Sequence, residues 1–405
     1  MPQGVVVGSG PNGLVGAIYL ARAGFSVTVL EEQEEPGGGL RSYINEPFGT
    51  IHDHCSAVHP MAWVSPVFRQ LGMLQDIPMA FPPSAFEHPL CHRERNRRDG
   101  LFLDRLHSKL AKFAGVAAHS MRSPYHPWSL GTGTALGALA WAVGWPVVVG
   151  GSGRIAEYLV RVLEAHGGKV RCNSSVNPDK LPDDLATADV VLWDTDIPTA
   201  HRAAGAPSDN WQFGPGVAKA DFVTDRPIPW ENSETGRAGT IHLGGTWNEI
   251  VRAERDVARG VMPRHPVSLV SQPSLFDSTR APEGLHTVWA YSHVPSDSDV
   301  DPVSTLRDEI ELRAPGFGNS VIDARGTTAS GMAHHNRNFR GGDIFSGATR
   351  GSQMLTSRWP HSPWSLPVEN WFVCSQATPP GPGVHGINGY IAARLALMYW
   401  SKHHS

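Results

Sequence analysis

The sequence predicts an α/β protein in which a nucleotide-type domain, built from three separated stretches of chain, carries an inserted β-rich domain. Three observations predict it. The first forty residues read as strand, glycine turn, helix, strand and acid. The apolar-run, glycine-turn and helix pattern returns after Val147 and again after Asn370. Between these returns, from about Gly214 to Val294, the strong runs are strand-like and separated by prolines.

The elements follow in order. Val5-Val6-Val7 is an apolar run that ends in Gly8-Ser9-Gly10-Pro11-Asn12-Gly13. Gly8 permits a tight exit from the strand, and Gly10 lets backbone approach a pyrophosphate. Gly13 and Gly16 let the following helix pack close to the sheet. The N-terminus of that helix offers free N–H groups and the positive end of its dipole to phosphates. Gly24 stops the helix, and Val27-Thr28-Val29-Leu30 forms the next strand. Glu31, about twenty residues past the turn, stands where a carboxylate accepts hydrogen bonds from a ribose. Such an acid argues against a 2′-phosphate and leaves the choice of dinucleotide open.

Val147-Val148-Val149 and Gly150-Gly151-Ser152-Gly153 open the second stretch, with Ile155, Leu159, Val162, Leu163 and His166 on one side of a helix. Lys169–Cys172 and Ala188–Trp193 are its strands. Strands are expected at Ala218–Thr224, Thr240–Leu243, Val267–Val270 and Thr287–Tyr291, and a helix at Leu306–Ala314 that stops before Pro315. Ala333–Ser357 reads as a polar loop. Asn370–Cys374 is the last strand, and an Ala- and Leu-rich helix runs from about Ile387 to Trp400. Gly381, Gly383 and Gly386 repeat the glycine spacing, but no strand and acid follow. That turn is read as a second helix N-terminus aimed at the same ligand.

The chain has 405 residues, net charge -4, 40% hydrophobic and 18% charged residues. It is globular, and its charge gives no case for nucleic acid. Its four cysteines are scattered with no CxxC pair, which suggests reduced thiols. The first strand starts within a few residues of Met1, leaving no room for a leader, so a cytoplasmic location is expected. Leu130–Gly151 carries no charge and is about long enough to span a bilayer. Its glycines and Pro146 favour a buried or interface-facing helix ending near Trp145-Pro146, with peripheral membrane contact as the second reading.

Gly8-Ser9-Gly10-Pro11-Asn12-Gly13 with Glu31, followed by Gly37-Gly38-Gly39-Leu40-Arg41, resembles the FAD-dependent oxidoreductases of the phytoene desaturase and amine oxidase superfamily. Gly49–Pro60, Trp145-Pro146 with Gly150-Gly151-Ser152-Gly153, Ile241–Gly245, Trp289-Ala290-Tyr291 and Ala314–Phe317 resemble its phytoene-dehydrogenase-like branch. Thr378–Gly386 with Gly389-Tyr390 is the most specific segment. The resemblance covers nearly the whole chain except about residues 75–144. It implies a Rossmann-like FAD-binding domain over residues 1–75, 145–205 and 361–405. A shortened helical cap would fill 76–144 and a β-rich substrate domain 206–360.

The resemblance also implies roles. Gly8, Gly10 and Gly13 would cradle the FAD pyrophosphate and Glu31 the adenosine ribose. Gly38, Gly39 and Arg41 would continue toward the flavin. The backbone of Val176 would meet the adenine. Gly383, Val384 and His385 would present N–H groups to the flavin's pyrimidine edge. Two departures stand out. Ser375-Gln376 replaces the Gly-Asp pair of many relatives, with Gln376 able to bond the ribitol. The chain is also short between about Glu87 and Trp145.

His52, Asp53, His54, Cys55 and His59 are of metal-ligand type, but the family pattern places them beside the flavin, where no metal is expected. His54, then His59, are the candidates for contact near the flavin ring, with packing histidines as the competing reading. His334-His335-Asn336 is read as a solvated loop. Trp289 and Tyr291 share one sheet face suited to wall a pocket. The resemblance implies hydride transfer from a C–H bond of an apolar or amphipathic substrate to flavin N5, with reoxidation by oxygen or a quinone. A flavin amine oxidase is the enzymatic alternative, and a non-catalytic flavin-binding partner protein is the alternative of another class.

Overall fold

Residues 1–91, 101–122, 124–208, 210–348, 353 and 362–404 are described by the computed structural model. Strands are numbered along the chain. β1 (Gln3–Val7), β2 (Ser26–Leu30), β8 (Lys169–Arg171), β9 (Val190–Trp193) and β15 (Trp371–Val373) form one sheet in the order β15-β9-β1-β2-β8. Every pair in it is parallel. A parallel sheet is covered on both faces, which is why its strands read as unbroken apolar runs. Val6, Val27, Val29 and Leu192 face the helices Pro11–Arg22, Gly153–Ala165 and Ile387–His404. Val5, Val7, Val191 and Trp193 pack on the opposite side with Leu185, Ile197 and Ala200.

The first and last helices cross in contact. A Cβ on Gly389 would lie 1.9 Å from the Asn12 carbonyl oxygen, and one on Gly16 would lie 2.7 Å from Leu192 Cδ1. Glycine at this crossing draws both chain ends onto one face of the sheet. Tyr390 meets Tyr19 of the first helix edge to face at 4.9 Å.

The second sheet contains β6 (Ser84–Glu87), β10 (Gly216–Thr224), β11 (Ala238–Leu243), β12 (Ser268–Ser271), β13 (His286–Val294) and β14 (Val321–Thr327). Its order is β14-β10-β13-β12-β11-β6, antiparallel except for the β11–β6 pair. Ala220, Phe222, Ile241, Leu243, Val288 and Ala290 turn one face onto Leu306, Ile310 and Phe317. The alternate residues, among them Lys219, Thr240, His242, Trp289 and Tyr291, therefore share the other face.

Three elements depart from the sequence reading. β6 joins the second sheet from the stretch expected to be a helical cap. β7 (Val147–Val148) pairs antiparallel with β5 (Met79–Ala80) and stays out of the parallel sheet. The uncharged helix spans Pro127–Ala142, stops before Trp145, and is not buried, since Leu130 is 42% and Trp141 91% exposed. Among the described residues no helix is long and apolar enough to cross a membrane. The polar stretch from Ala333 begins within a short helix, Met332–His335; its residues 349–352 and 354–357 lie outside the described residues.

A buried ionic network ties the second sheet's flank to the β3–β4 hairpin, to β7 and to the start of the helix Gly153–Ala165. Arg280, near β13, donates to Asp53 at 2.8 Å, Asp277 at 3.1 Å and the Val148 carbonyl at 3.1 Å. Asp53 closes the hairpin of β3 (Ser42–Asn45) and β4 (Thr50–Asp53). Its carboxylate also accepts from the Ser152 N–H and the Ser42 hydroxyl, both at 2.7 Å.

Candidate functional site

A cavity of about 1120 Å³ runs from the C-terminal ends of β1, β2 and β9 to the polar-bearing face of the second sheet. At the first end the chain leaves β1 at Gly8 with φ +98°, and a Cβ there would lie 2.7 Å from the Asp194 carbonyl. Only glycine holds that conformation without strain. Gly10 is equally constrained, because a Cβ would lie 2.5 Å from Asp194 Oδ2. Asp194, at the end of β9, accepts the Gly13 N–H at 3.0 Å. Burial pushes its carboxyl up to about 7. Asn12 Oδ1 is buried here without a partner.

Glu31 lines the same end. Its carboxylate accepts from the Ser9 N–H at 3.0 Å, the Ser9 hydroxyl at 2.5 Å and the Gln33 N–H at 2.9 Å. Gly38, Gly39, Arg41 and Val176 line the wall beyond it. Arg41 donates to the Gly38 carbonyl at 3.0 Å and to the His335 carbonyl at 2.5 Å. Arg337 and Arg340 also line the cavity, but they pair with Glu32 at 2.7 Å and Asp196 at 2.9 Å.

The last stretch of chain supplies Gly383, Val384 and Gln376 to the wall. The Gln376 amide donates to the Ile344 carbonyl at 2.7 Å and the Ser346 hydroxyl at 3.1 Å, which leaves its own oxygen available. Gly13 and His385 are not part of the wall. Gly13 gives its N–H to Asp194. His385 is buried behind the turn, its Nδ1 accepting the Ile387 N–H at 3.1 Å and its carbonyl the Ser65 hydroxyl at 2.6 Å.

His54 and His59 both line the cavity. His54 stacks on His335 with ring centroids 4.2 Å apart, and burial holds its pKa down at about 4. His335 is thus a wall residue, in contrast to the solvated loop read from the sequence. The Ser152 hydroxyl donates to the Ser56 carbonyl, so His59 Nε2 donates to Ser152 Oγ at 2.7 Å. His59 Nδ1 is then a bare, buried acceptor. Among the described residues no group of three or more His, Cys, Asp or Glu side chains is arranged to hold a metal ion.

The floor is the second sheet. Val217, Lys219, Thr240, Leu269, Trp289 and Tyr291 line the cavity, so Trp289 and Tyr291 do wall a pocket. Lys219 forms a buried ion pair with Asp221, whose carboxylate also accepts the Tyr43 hydroxyl at 2.9 Å. Lys219 and His52 hold Asp221 down at about 2 against the effect of burial, and burial, with the Asp221 carboxylate beside it, pushes the Tyr43 phenol well above its usual range. Sequence reasoning passed over Lys219. Its signal was a Lys and an Asp on alternate positions of an otherwise apolar strand. The roof is the uncharged helix, which contributes Thr132, Leu136 and Leu139, together with His119 and Trp145.

Comparison with known proteins agrees with this arrangement. A family model described as an NAD(P)-binding Rossmann-like domain matches residues 6–71. Pyridine nucleotide-disulfide oxidoreductase domain-containing protein 2 of Rattus norvegicus is 25% identical over 342 residues, covering 72% of this chain and 58% of that protein. This chain therefore spans little more than half the length of that relative. Hydroxyneurosporene desaturase of Cereibacter sphaeroides is 57% identical over 42 residues, 10% of this chain and 8% of the desaturase. Among solved structures, cyclohexylamine oxidase from Brevibacterium oxydans superposes with a TM-score of 0.63 at 11% identity, covering 100% of each chain.

Proposed function

We propose that this chain, which fits the phytoene desaturase and amine oxidase superfamily in motif and fold, is an FAD-dependent oxidoreductase acting on an apolar or amphipathic organic substrate. The observation that carries the reading is the single cavity of about 1120 Å³, which joins a dinucleotide crevice to a chamber walled by apolar and aromatic side chains. The crevice fits the group: Gly10 leaves the backbone open, the first helix begins there, Glu31 stands at the end of β2, and Asn12 Oδ1 lacks a partner. Gly8, Gly10, Glu31, Gly38, Gly39, Arg41, Val176, Gln376, Gly383 and Val384 would hold the FAD. Bound there, the flavin supplies a hydride acceptor, with oxygen or a quinone as the terminal oxidant.

The protein's own part is positioning and exclusion of water. Leu136, Leu139, Leu269, Trp145 and Trp289 give the chamber a low dielectric. That strengthens the field of the one buried cation on its floor, Lys219. His54 and His59 are held neutral, so they meet a substrate as hydrogen-bonding groups and not as cations. The visible spectrum of the purified protein tests the reading. A yellow protein showing flavin absorption, at about one FAD per chain, is expected. Protein that is colourless and takes up no added FAD would refute it. Bound FAD that no organic substrate reduces would leave a flavin-binding partner protein.

Amine oxidation is the second reading, favoured by the edge-to-face pair of Trp289 and Tyr291, 5.2 Å between centroids, on the chamber floor. Peroxide released with amines but not with alkenes or polyenes supports it. Peripheral membrane contact is proposed from the uncharged helix. It lines the cavity on one side and exposes Leu130 and Trp141 on the other. Flotation with anionic liposomes that is lost in W141E is the expected result, and wild-type protein that stays at the bottom of the gradient overturns it.

A further inference from the structure

The floor of the chamber has a polar feature that dinucleotide binding does not use. Thr240 on β11 lines the cavity, is 1% exposed, and its hydroxyl has no hydrogen-bond partner. A buried polar group without a partner costs about 1–3 kcal/mol, so one facing a cavity points to a ligand. His242 lies two residues further along the same strand face, about 7 Å away at strand spacing. Above His242 sits His119, at the end of the helix Leu101–Ala118, with the two Nε2 atoms 2.8 Å apart. His119 lines the cavity. Trp145 stands against both imidazoles, 5.5 Å from His119 and 6.0 Å from His242 between ring centroids.

One hydrogen lies between the two rings. The Glu87 carbonyl beside His242 favours a proton on that ring. His242 Nδ1 is buried and makes no hydrogen bond of ordinary geometry; with the proton that the Glu87 carbonyl favours placed on it, His242 accepts at Nε2 and His119 donates from its own Nε2. His119 Nδ1, which has no partner among the described residues, is then a bare acceptor at the cavity wall. Burial pushes the His119 pKa down to about 3, so the ring is neutral. The cations that line the cavity are elsewhere. Arg41, Arg337 and Arg340 belong to the dinucleotide end, and Lys219 is on β10, three strands from β11, roughly 14 Å at the usual spacing. Among the described residues, a carboxylate or phosphate at Thr240 would have no counter-charge. A hydroxyl would be matched, because it both accepts and donates.

We propose that this end of the chamber is a subsite for a neutral hydroxyl group on an otherwise apolar ligand, Thr240 donating to its oxygen and His119 Nδ1 accepting its hydrogen. The proposal rests on the oxidoreductase reading and narrows its substrate class to apolar alcohols. His242 is the positioning residue that fixes the His119 tautomer.

Fluorescence titration of the purified protein with 1-dodecanol, dodecyl methyl ether and dodecanoate tests it. The alcohol donates and accepts, the ether only accepts, and the carboxylate is charged. The wild type is expected to bind the alcohol about threefold to tenfold tighter than the ether, with dodecanoate weakest. H119F should abolish the preference for alcohol while leaving the ether unchanged. T240V should weaken alcohol and ether alike, and T240S should restore both. Equal wild-type affinity for alcohol and ether, tightest binding of dodecanoate, or binding of none of the three overturns the proposal even where a variant fails to fold. None of these readouts needs electron transfer, so failure here is distinct from a missing flavin spectrum.

Discussion

Asp194 shows how one buried side chain sets a pH dependence. It holds its proton in the fold up to about pH 7, whereas the unperturbed carboxyl releases it near 3.8. Between those values the folded chain binds more protons than the unfolded one. Stability contributed by this group is therefore full below the lower value and is lost as pH rises through the upper one. D194N keeps an acceptor for the Gly13 N–H and carries no charge. Its stability relative to the wild type should grow by about 2–3 kcal/mol between pH 5 and pH 8 in urea denaturation of the apoprotein. A difference that is flat with pH would show that the carboxyl is not buried as described. That Gly8, Gly10 and Glu31 share one cavity wall was legible in the sequence, because it follows from local spacing along one strand–turn–helix unit. Asp194, Lys219, Thr240 and His119 were not, because their neighbours are set by strand pairing between distant segments.

At the scale of elements, glycine marks where helices touch and where they do not. The last helix crosses the first at Gly389, where a Cβ would lie 1.9 Å from backbone, whereas Gly137 in the uncharged helix has nothing within 4 Å. G389A should lower stability by about 1–3 kcal/mol through overpacking. G137A should raise it by about 0.5–1 kcal/mol through helix propensity alone. Thermal unfolding of both variants checks the pair, and a stabilising G389A would contradict the crossing. Most strands of both sheets were legible, since apolar runs identify buried parallel strands and alternation identifies half-buried ones, but β6 and β14 were not. The pairing of β6 with β11 and of β7 with β5 was not, because a short strand carries no mark of its partner.

At the scale of the whole molecule, the cavity lies between the C-terminal ends of the parallel sheet and one face of the second sheet. Arg280, with no exposure, ties Asp277 beside the second sheet to Asp53 of the hairpin that carries the chain toward His54. R280M leaves two carboxylates buried without their cation and should cost about 3–5 kcal/mol in urea denaturation. Adding D53N should recover part of that loss, and strict additivity of the two changes would show that the residues do not act as a pair. The inserted β-rich region was visible in the sequence as a change in pattern. Its placement over the crevice was not, because that depends on contacts between segments far apart in the chain.

The crossing of the first and last helices also sets an order of events during synthesis. Gly8 and Gly10 leave the ribosome well before Gly383 and Val384, which line the same cavity. A nascent chain that has not yet made Gly383 therefore carries only part of that wall, and its first helix lacks the helix that crosses it at Gly389. The full cavity wall forms only once the segment carrying Gly383 and Gly389 has folded back onto the first helix.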